Sequence, residues 1–256
     1  MGREKKILYI HFGGLGDHLS FSTLPETCHN NGFDFYLSSR SSIRSQQTFE
    51  LIWESNPFFK GMSDEEPNCG HSDYTNLEGY NDELSLNKNM EEKIGFPKSD
   101  LPHDSKYPII YKDPKVIEDF KGCLLIDLNG THFANHGYTY NWTTIKELIE
   151  ADMAENDYKK VYFIKPSTVN YSNTSFDFTI GEAIDVKDIF EYSDMIYSAK
   201  RIYTIWAGGS HLGSAIKWKY KPELEIKTFS DNTTKSYFWY DNVDYLRGYM
   251  VNAPFK

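Results

Sequence analysis

The sequence predicts an α/β protein built from two Rossmann-like halves with mostly parallel sheets. Three observations predict it. Short β-rich apolar runs alternate with helical stretches, a polar segment runs from Lys60 to about Asp104, and the alternation restarts near residue 121. Strands that alternate with helices imply right-handed βαβ crossovers and a parallel sheet. No repeat with a period of about 20–50 residues points to a solenoid. The halves are placed at 1–118 and 119–256.

In the first half, Lys5 to Phe12 is apolar and β-rich, as a strand buried on both faces should be. Gly13-Gly14-Leu15-Gly16-Asp17 reads as a turn, and His18 to Asn30 as a helix bent near Pro25. Phe33 to Ser38 is a second strand, and Gln46 to Glu54 a short helix closed by Asn56-Pro57. The segment from Lys60 to Asp104 reads as surface loops with one helix at Asp82–Lys93, then a strand at Pro108–Tyr111 and a connecting helix at Pro114–Phe120.

The second half repeats the pattern. Cys123 to Leu128 and Lys160 to Ile164 read as strands, with a helix at Thr143–Ala154 between them that puts Ile145, Leu148 and Ile149 on one face. Val186 to Ala199 reads as a helix, Arg201 to Trp206 as a strand, Gly208 to Ile216 as a helix and Leu224 to Phe229 as a strand.

Composition narrows the function classes. The net charge of −10 argues against a broad nucleic-acid surface and against a polybasic membrane patch. Ile7 to Phe12 is too short for a signal-peptide core, and no run of 18 apolar residues reads as an integral membrane segment. Cys28, Cys69 and Cys123 lack paired spacing and read as reduced thiols, in keeping with a cytoplasmic protein. The five Asn-x-Ser/Thr triplets, beginning at Asn129, Asn141, Asn170, Asn173 and Asn232, follow from an Asn-rich composition.

Ligands of α/β sheets bind where strands run into helices. Two such loops carry candidate chemistry. In the first, Gly13, Gly14 and Gly16 allow close backbone approach and positive φ, and Asp17 and His18 follow at the start of a helix. The spacing is neither the dinucleotide fingerprint nor a P-loop. Asp17 reads as an N-cap and also as a reachable carboxylate able to accept a proton. In the second loop, Trp206-Ala207-Gly208-Gly209-Ser210-His211, the glycines expose backbone donors, Ser210 adds a hydroxyl and His211 an imidazole. That combination suits a diphosphate, and a tight turn capped by Ser210 would use the same residues. Lys165, after the strand Lys160–Ile164, joins the donor-binding candidates.

Ile10 to Glu26, ending Ser22-Thr23-Leu24-Pro25-Glu26, resembles the opening of the ADP-heptose:lipopolysaccharide heptosyltransferases. Asp188 to Ile216 resembles their C-terminal helix, strand and Asp-Ser/Thr-Gly-x-x-His-Leu turn. The resemblance implies a GT-B glycosyltransferase, with two Rossmann-like domains facing across a cleft and an inverting, metal-independent reaction. It puts Asp17 on the catalytic base, with Gly208 and His211 on the donor diphosphate. Two departures stand out: Trp206-Ala207 replaces the Asp-Ser/Thr pair, and the lysine after the first strand of the second domain is missing, where Asn129-Gly130-Thr131 stands.

No Asp-x-Asp triplet occurs, which favours the metal-free scheme over a metal-dependent transferase. His132 and His136 have i, i+4 spacing without the Glu of a zincin, and Cys69-Gly70-His71 lacks partners at zinc spacing. The expected protein moves a sugar from a nucleotide-diphosphate donor, its co-substrate, to a glycan-type or other hydroxyl acceptor without a bound cofactor. The alternatives are a non-catalytic sugar-nucleotide or glycan-binding module on the same scaffold, and a sugar-nucleotide epimerase.

Overall fold

The computed structural model describes residues 2–68, 87, 91–92, 96, 107–130, 138–166, 177–230 and 239–252, of which 138–139 and 250–252 are described as backbone alone. The helix expected at Asp82–Lys93 lies largely outside these residues, as do Cys69, His71, His132 and His136. The chain divides into two compact units. Unit 1 comprises 1–113 with 235–240, and unit 2 comprises 114–234 with 241–256.

Among its described residues, unit 1 holds a parallel three-stranded sheet, β1 (Glu4–Leu8), β2 (Phe33–Ser38) and β3 (Phe59–Ser63), in that order. Between β1 and β2 the chain forms two helices, α1 (Leu15–Leu19) and α2 (Leu24–Asn30), rather than the single helix expected from His18 to Asn30. Pro25 explains the break. Inside a continuous helix its ring would strike the carbonyl four residues back, whereas in the first turn of α2 its missing N–H costs nothing. A short α3 (Gln46–Phe49) runs on into a π-helical turn at Glu50–Glu54 that buries Trp53, stacked on Phe35 at 5.8 Å.

β3 lies where the sequence predicts loop. It is a half-exposed edge strand, and its pairing with β2 shifts register between Phe35 and Leu37, with Gly61 at φ +119°. A glycine bulge on an exposed edge leaves little apolar pattern to read. Pro108–Tyr111 forms no strand. The Ile109 N–H bonds instead to Ser22 Oγ at 2.8 Å, and the Tyr111 hydroxyl to Glu26 at 2.6 Å.

Unit 2 opens with an extended segment in place of the expected helix at Pro114–Phe120. Asp194 and Ser198 side chains capture the N–H groups of Lys115 (2.7 Å) and Ile117 (2.8 Å), leaving only a 3-10 turn at Glu118–Phe120. Next come β4 (Leu124–Asp127), β5 (Tyr138–Tyr140), α4 (Trp142–Glu155), β6 (Val161–Ile164), β7 (Glu182–Ile184), α5 (Ile189–Ser198) and β8 (Arg201–Ile205). The chain continues through α6 (Gly208–Lys219), β9 (Glu225–Phe229), β10 (Asp244–Leu246) and β11 (Met250–Asn252). Six of these strands form one sheet, ordered β10-β9-β8-β4-β6-β7, in which every adjacent pair is parallel; β5 and β11 pair separately and antiparallel.

Side-chain caps set the helix starts. Asn141 accepts from the Thr144 N–H, and Asp188 accepts from the N–H groups of Phe190 (3.0 Å) and Glu191 (2.8 Å). The core between the sheet and α4 holds Leu124, Ile126, Ile145, Ile149, Phe163 and Tyr203. Cys28 and Cys123 are buried and unbridged. Among the described residues, no helix is long and apolar enough to cross a membrane.

Candidate functional site

In unit 1 the chain leaves β1 and turns into α1 through the predicted glycine loop. Helix α1 starts at Leu15 with Gly14 as its N-cap, so Asp17 is the third helical residue and not the cap itself. Its carboxylate reaches back to accept the Gly14 N–H at 2.8 Å, as the acidic member of a capping box does. Asp17 is half-buried.

The glycines serve close packing: none in this loop has positive φ, against the expectation. A Cβ on Gly13 would sit 2.9 Å from the Ser42 carbonyl oxygen and 3.0 Å from Arg44 Cγ, while one on Gly14 would sit 2.7 Å from Asp17 Oδ2. Arg44 therefore lays its stem across Gly13. Its guanidinium nitrogen comes within 4.0 Å of the Cβ position on Gly14, and the residue is exposed. Sequence reasoning did not single out Arg44, which lies thirty residues from the loop it covers.

His18 is placed in the core and not on the surface of the loop. It is fully buried, its Nδ1 accepts from the Trp53 indole N–H at 2.9 Å, and its Nε2 lies 3.0 Å from the Ser42 carbonyl. Donation to that carbonyl fixes a neutral ring protonated on Nε2. Burial pushes its pKa below the ordinary 6.5, against smaller upward pulls from the Ser42 carbonyl and Asp17. A depressed histidine binds fewer protons folded than unfolded. Its contribution to stability is thus complete above pH 6.5 and is lost as the pH falls from 6.5 through the folded value. Wild-type protein should lose stability on acidification through that window by up to about 1.4 kcal/mol per pH unit more than His18→Gln. Urea unfolding at stepped pH measures the difference, and parallel curves would refute it.

In unit 2, β4 continues to β6 and β7 on one side, and the chain then returns to β8 on the other side of β4. The carboxyl ends of β4 and β8 therefore flank a topological switch point, the place where open α/β sheets bind ligands. The loops that follow them, 128–130 and 206–207, pack directly: a Cβ on Gly130 would sit 2.6 Å from Ile205 Cδ1 and 3.6 Å from Ala207 Cβ.

Helix α6 begins at this point with Ala207 as its N-cap and no side-chain cap bond. Ser210 is not the expected cap: its hydroxyl bonds to the Ala207 carbonyl at 2.8 Å. The Trp206-Ala207 pair thus leaves the helix start without a capping oxygen, and its donors and partial positive charge are suited to an anion. Gly208 and Gly209 form the first two positions, and His211 lies in the first turn, 8% exposed. Lys165 follows β6, and its ammonium pairs with Asp185 at 2.7 Å on the surface. Such an exposed pair is worth at most about 1 kcal/mol and yields easily to another anion.

The sequence reading missed a buried cluster beside these donors. Asp127, the last residue of β4, accepts from the Asn129 N–H at 3.1 Å and from its amide at 2.8 Å through one oxygen. The other oxygen accepts from the Tyr192 hydroxyl of α5 in a short hydrogen bond. Burial raises the Asp127 carboxyl above the usual carboxylate range, and the bonds from Tyr192 and Asn129 offset this only in part. Tyr192 is likewise pushed well above the ordinary tyrosine value, by burial and by Asp127. Among the described residues, no group of three or more His, Cys, Asp or Glu could hold a metal ion.

No family model matches the chain, and no curated protein does. Solved structures do. The iron-containing dodecameric glycosyltransferase TibC of enterotoxigenic E. coli superposes with a TM-score of 0.61 at 13% identity, over 94% of this chain and 62% of that one. This chain thus spans less than two thirds of TibC. The ADP-heptose lipopolysaccharide heptosyltransferase II of E. coli gives 0.52 at 9% identity, over 94% and 90%. A glycosyl transferase family 9 protein of Veillonella parvula gives 0.52 at 10% identity, over 96% and 86%. At such identities the likeness establishes the fold: this protein has the α/β fold of the heptosyltransferase-like, GT-B glycosyltransferases.

Proposed function

We propose that the protein is a glycosyltransferase that moves a sugar from a nucleotide-diphosphate donor to a hydroxyl acceptor with inversion. The observation that carries this reading is the uncapped, glycine-rich start of α6 at the switch point of the unit 2 sheet. The diphosphate would lie on the N–H groups of Gly208 and Gly209, with His211 beside it and Lys165 in reach of its outer charge. Asp17 would take the acceptor proton as the acceptor oxygen bonds to the anomeric carbon. The bond from that carbon to the diphosphate breaks in the same step, and the negative charge it leaves is met by oriented donors.

The sequence supports a metal-independent reaction because it lacks Asp-x-Asp. A chelator should leave the transfer rate unchanged, and a loss restored by added metal would overturn this part.

A thermal-shift screen of nucleoside diphosphates and their sugars tests the donor reading. ADP-heptose comes first, since it is the donor named for one of the matched heptosyltransferases. A donor at about 100 times its Kd should stabilise the fold by about 2.7 kcal/mol. His211→Ala should weaken binding of the same donor by about 1.5–3 kcal/mol, the range for hydrogen bonds to charged groups. If no nucleotide shifts the melting, the reading fails. Binding without transfer or hydrolysis would mark a non-catalytic module.

A further inference from the structure

Beneath the start of α6, one buried carboxyl group ties together three parts of unit 2. Asp127 ends β4, and its Oδ1 holds Asn129 at the head of the loop that follows, while the Asn129 amide also donates to the Ile164 carbonyl at 3.2 Å, at the end of β6. Its Oδ2 holds the Tyr192 hydroxyl of α5. Helix α6 rests on this pair at Gly209. A Cβ there would collide with Tyr192 Oη, and would lie 3.2 Å from Asp127 Oδ2 and 3.5 Å from Thr204 Cγ2. Gly209 needs no unusual φ, so close approach is the reason for glycine at this position. Asp127 is 9% exposed and Tyr192 8%. Burying an ionisable pair gains little stability over well-packed apolar residues, so stability alone is a weak reason to find one here.

We propose that Asp127 and Tyr192 are positioning residues for the donor: their hydrogen-bonded pair sets the height and tilt of the first turn of α6 against the loop 128–130, and so the affinity for a nucleoside diphosphate. The proposal rests on the donor-site reading above. Neither residue touches the reacting atoms; both act through Gly209 and Asn129. The pair works as a spacer of fixed length, because Tyr192 reaches across from α5 and Asp127 cannot move without dragging the β4 loop with it.

The geometry gives a test by rescue. Gly209→Ala forces a methyl group against the Tyr192 hydroxyl, and Tyr192→Phe removes that hydroxyl while keeping the ring. Isothermal titration would use whichever of ADP, UDP, GDP or CDP stabilises the wild-type protein most. Tyr192→Phe should raise its Kd about threefold to tenfold, as loss of one hydrogen bond does, and Gly209→Ala about tenfold or more. Because the two substitutions share one contact, their effects should not add. The double variant should bind within about threefold of Tyr192→Phe alone, tighter than Gly209→Ala.

Equal affinity for wild-type and Tyr192→Phe, or losses that simply add, would overturn the proposal while leaving the donor reading intact. A change in melting temperature with unchanged Kd would also overturn it, because it would show the pair to be structural only. If Gly209→Ala does not fold, the conservative Tyr192→Phe still decides. A wild-type protein that binds none of the four removes the donor reading, and this proposal with it.

Discussion

Asp17→Asn should lower the rate of sugar transfer by about 10²–10⁴-fold, the usual contribution of a general base, and leave the fold unchanged. The substitution is sharp because of where Asp17 sits. As the third residue of α1 it accepts the Gly14 N–H at 2.8 Å, and the Asn carbonyl oxygen can accept the same bond. What Asn cannot do is take a proton from a hydroxyl. Asp17→Ala removes both abilities and should also destabilise the helix start, by about 0.5–2 kcal/mol if the bond is worth as much as a side-chain cap. A rate lost equally in both variants, with stability lost only in Ala, separates the base from the cap. Wild-type transfer by a well-folded Asp17→Asn, measured as product formed per minute under saturating donor, would end the assignment.

How far such a site can be read from sequence depends on how local its causes are. The strands of the large sheet are legible because Leu124–Asp127, Val161–Ile164 and Arg201–Ile205 are buried, mostly apolar runs next to turn residues. Phe59–Ser63, Glu182–Ile184 and Asp244–Leu246 are short and largely uncovered, so no apolar pattern marks them. The glycine turns are legible from composition, but the duty of each glycine is not. Gly13 is required by the Ser42 carbonyl and Gly209 by a tyrosine hydroxyl, and neither neighbour is near in sequence.

His18 shows how a helix boundary bears on what a side chain can do. Read as the first residue of a helix, its imidazole would sit at the mouth of the loop; with α1 at Leu15–Leu19 it lies inside the helix, buried against Trp53. Asp127 and Tyr192 stand sixty-five residues apart, and only the return of the chain to β8 after β7 closes that distance.

The largest effect on stability should come from the opposite end of the same sheet. Arg201 begins β8, and its guanidinium bonds to Asp152 of α4 and to Glu225 at the start of β9. The Arg201 and Asp152 side chains are each 9% exposed, whereas Glu225 is 44% exposed. Asp152 also accepts from the Tyr158 hydroxyl at 2.7 Å and from the Asn156 amide at 3.0 Å, and Lys227 lies 3.8 Å away. Asp152→Ala should therefore cost about 3–5 kcal/mol, because it strands a buried guanidinium with one half-exposed partner. Against a typical total of about 5–15 kcal/mol, unit 2 should open at clearly lower urea.

The double replacement Asp152→Leu with Arg201→Met should recover most of that loss, since the penalty lies in the orphaned charge and not in the missing bond. Acid gives an independent check. Burial pushes the Asp152 carboxyl up, but the bonds from Arg201 and Tyr158 and the charges of Arg201 and Lys227 outweigh it and hold the group below its ordinary 3.8. A depressed carboxylate contributes stability that is complete above 3.8 and is lost as the pH falls through the lower folded value. The gap between wild type and Asp152→Asn should accordingly be constant from neutral pH down to about 4 and close below it. If Asp152→Ala unfolds at the wild-type urea concentration, the buried network adds nothing to the stability of unit 2, and this reading is overturned.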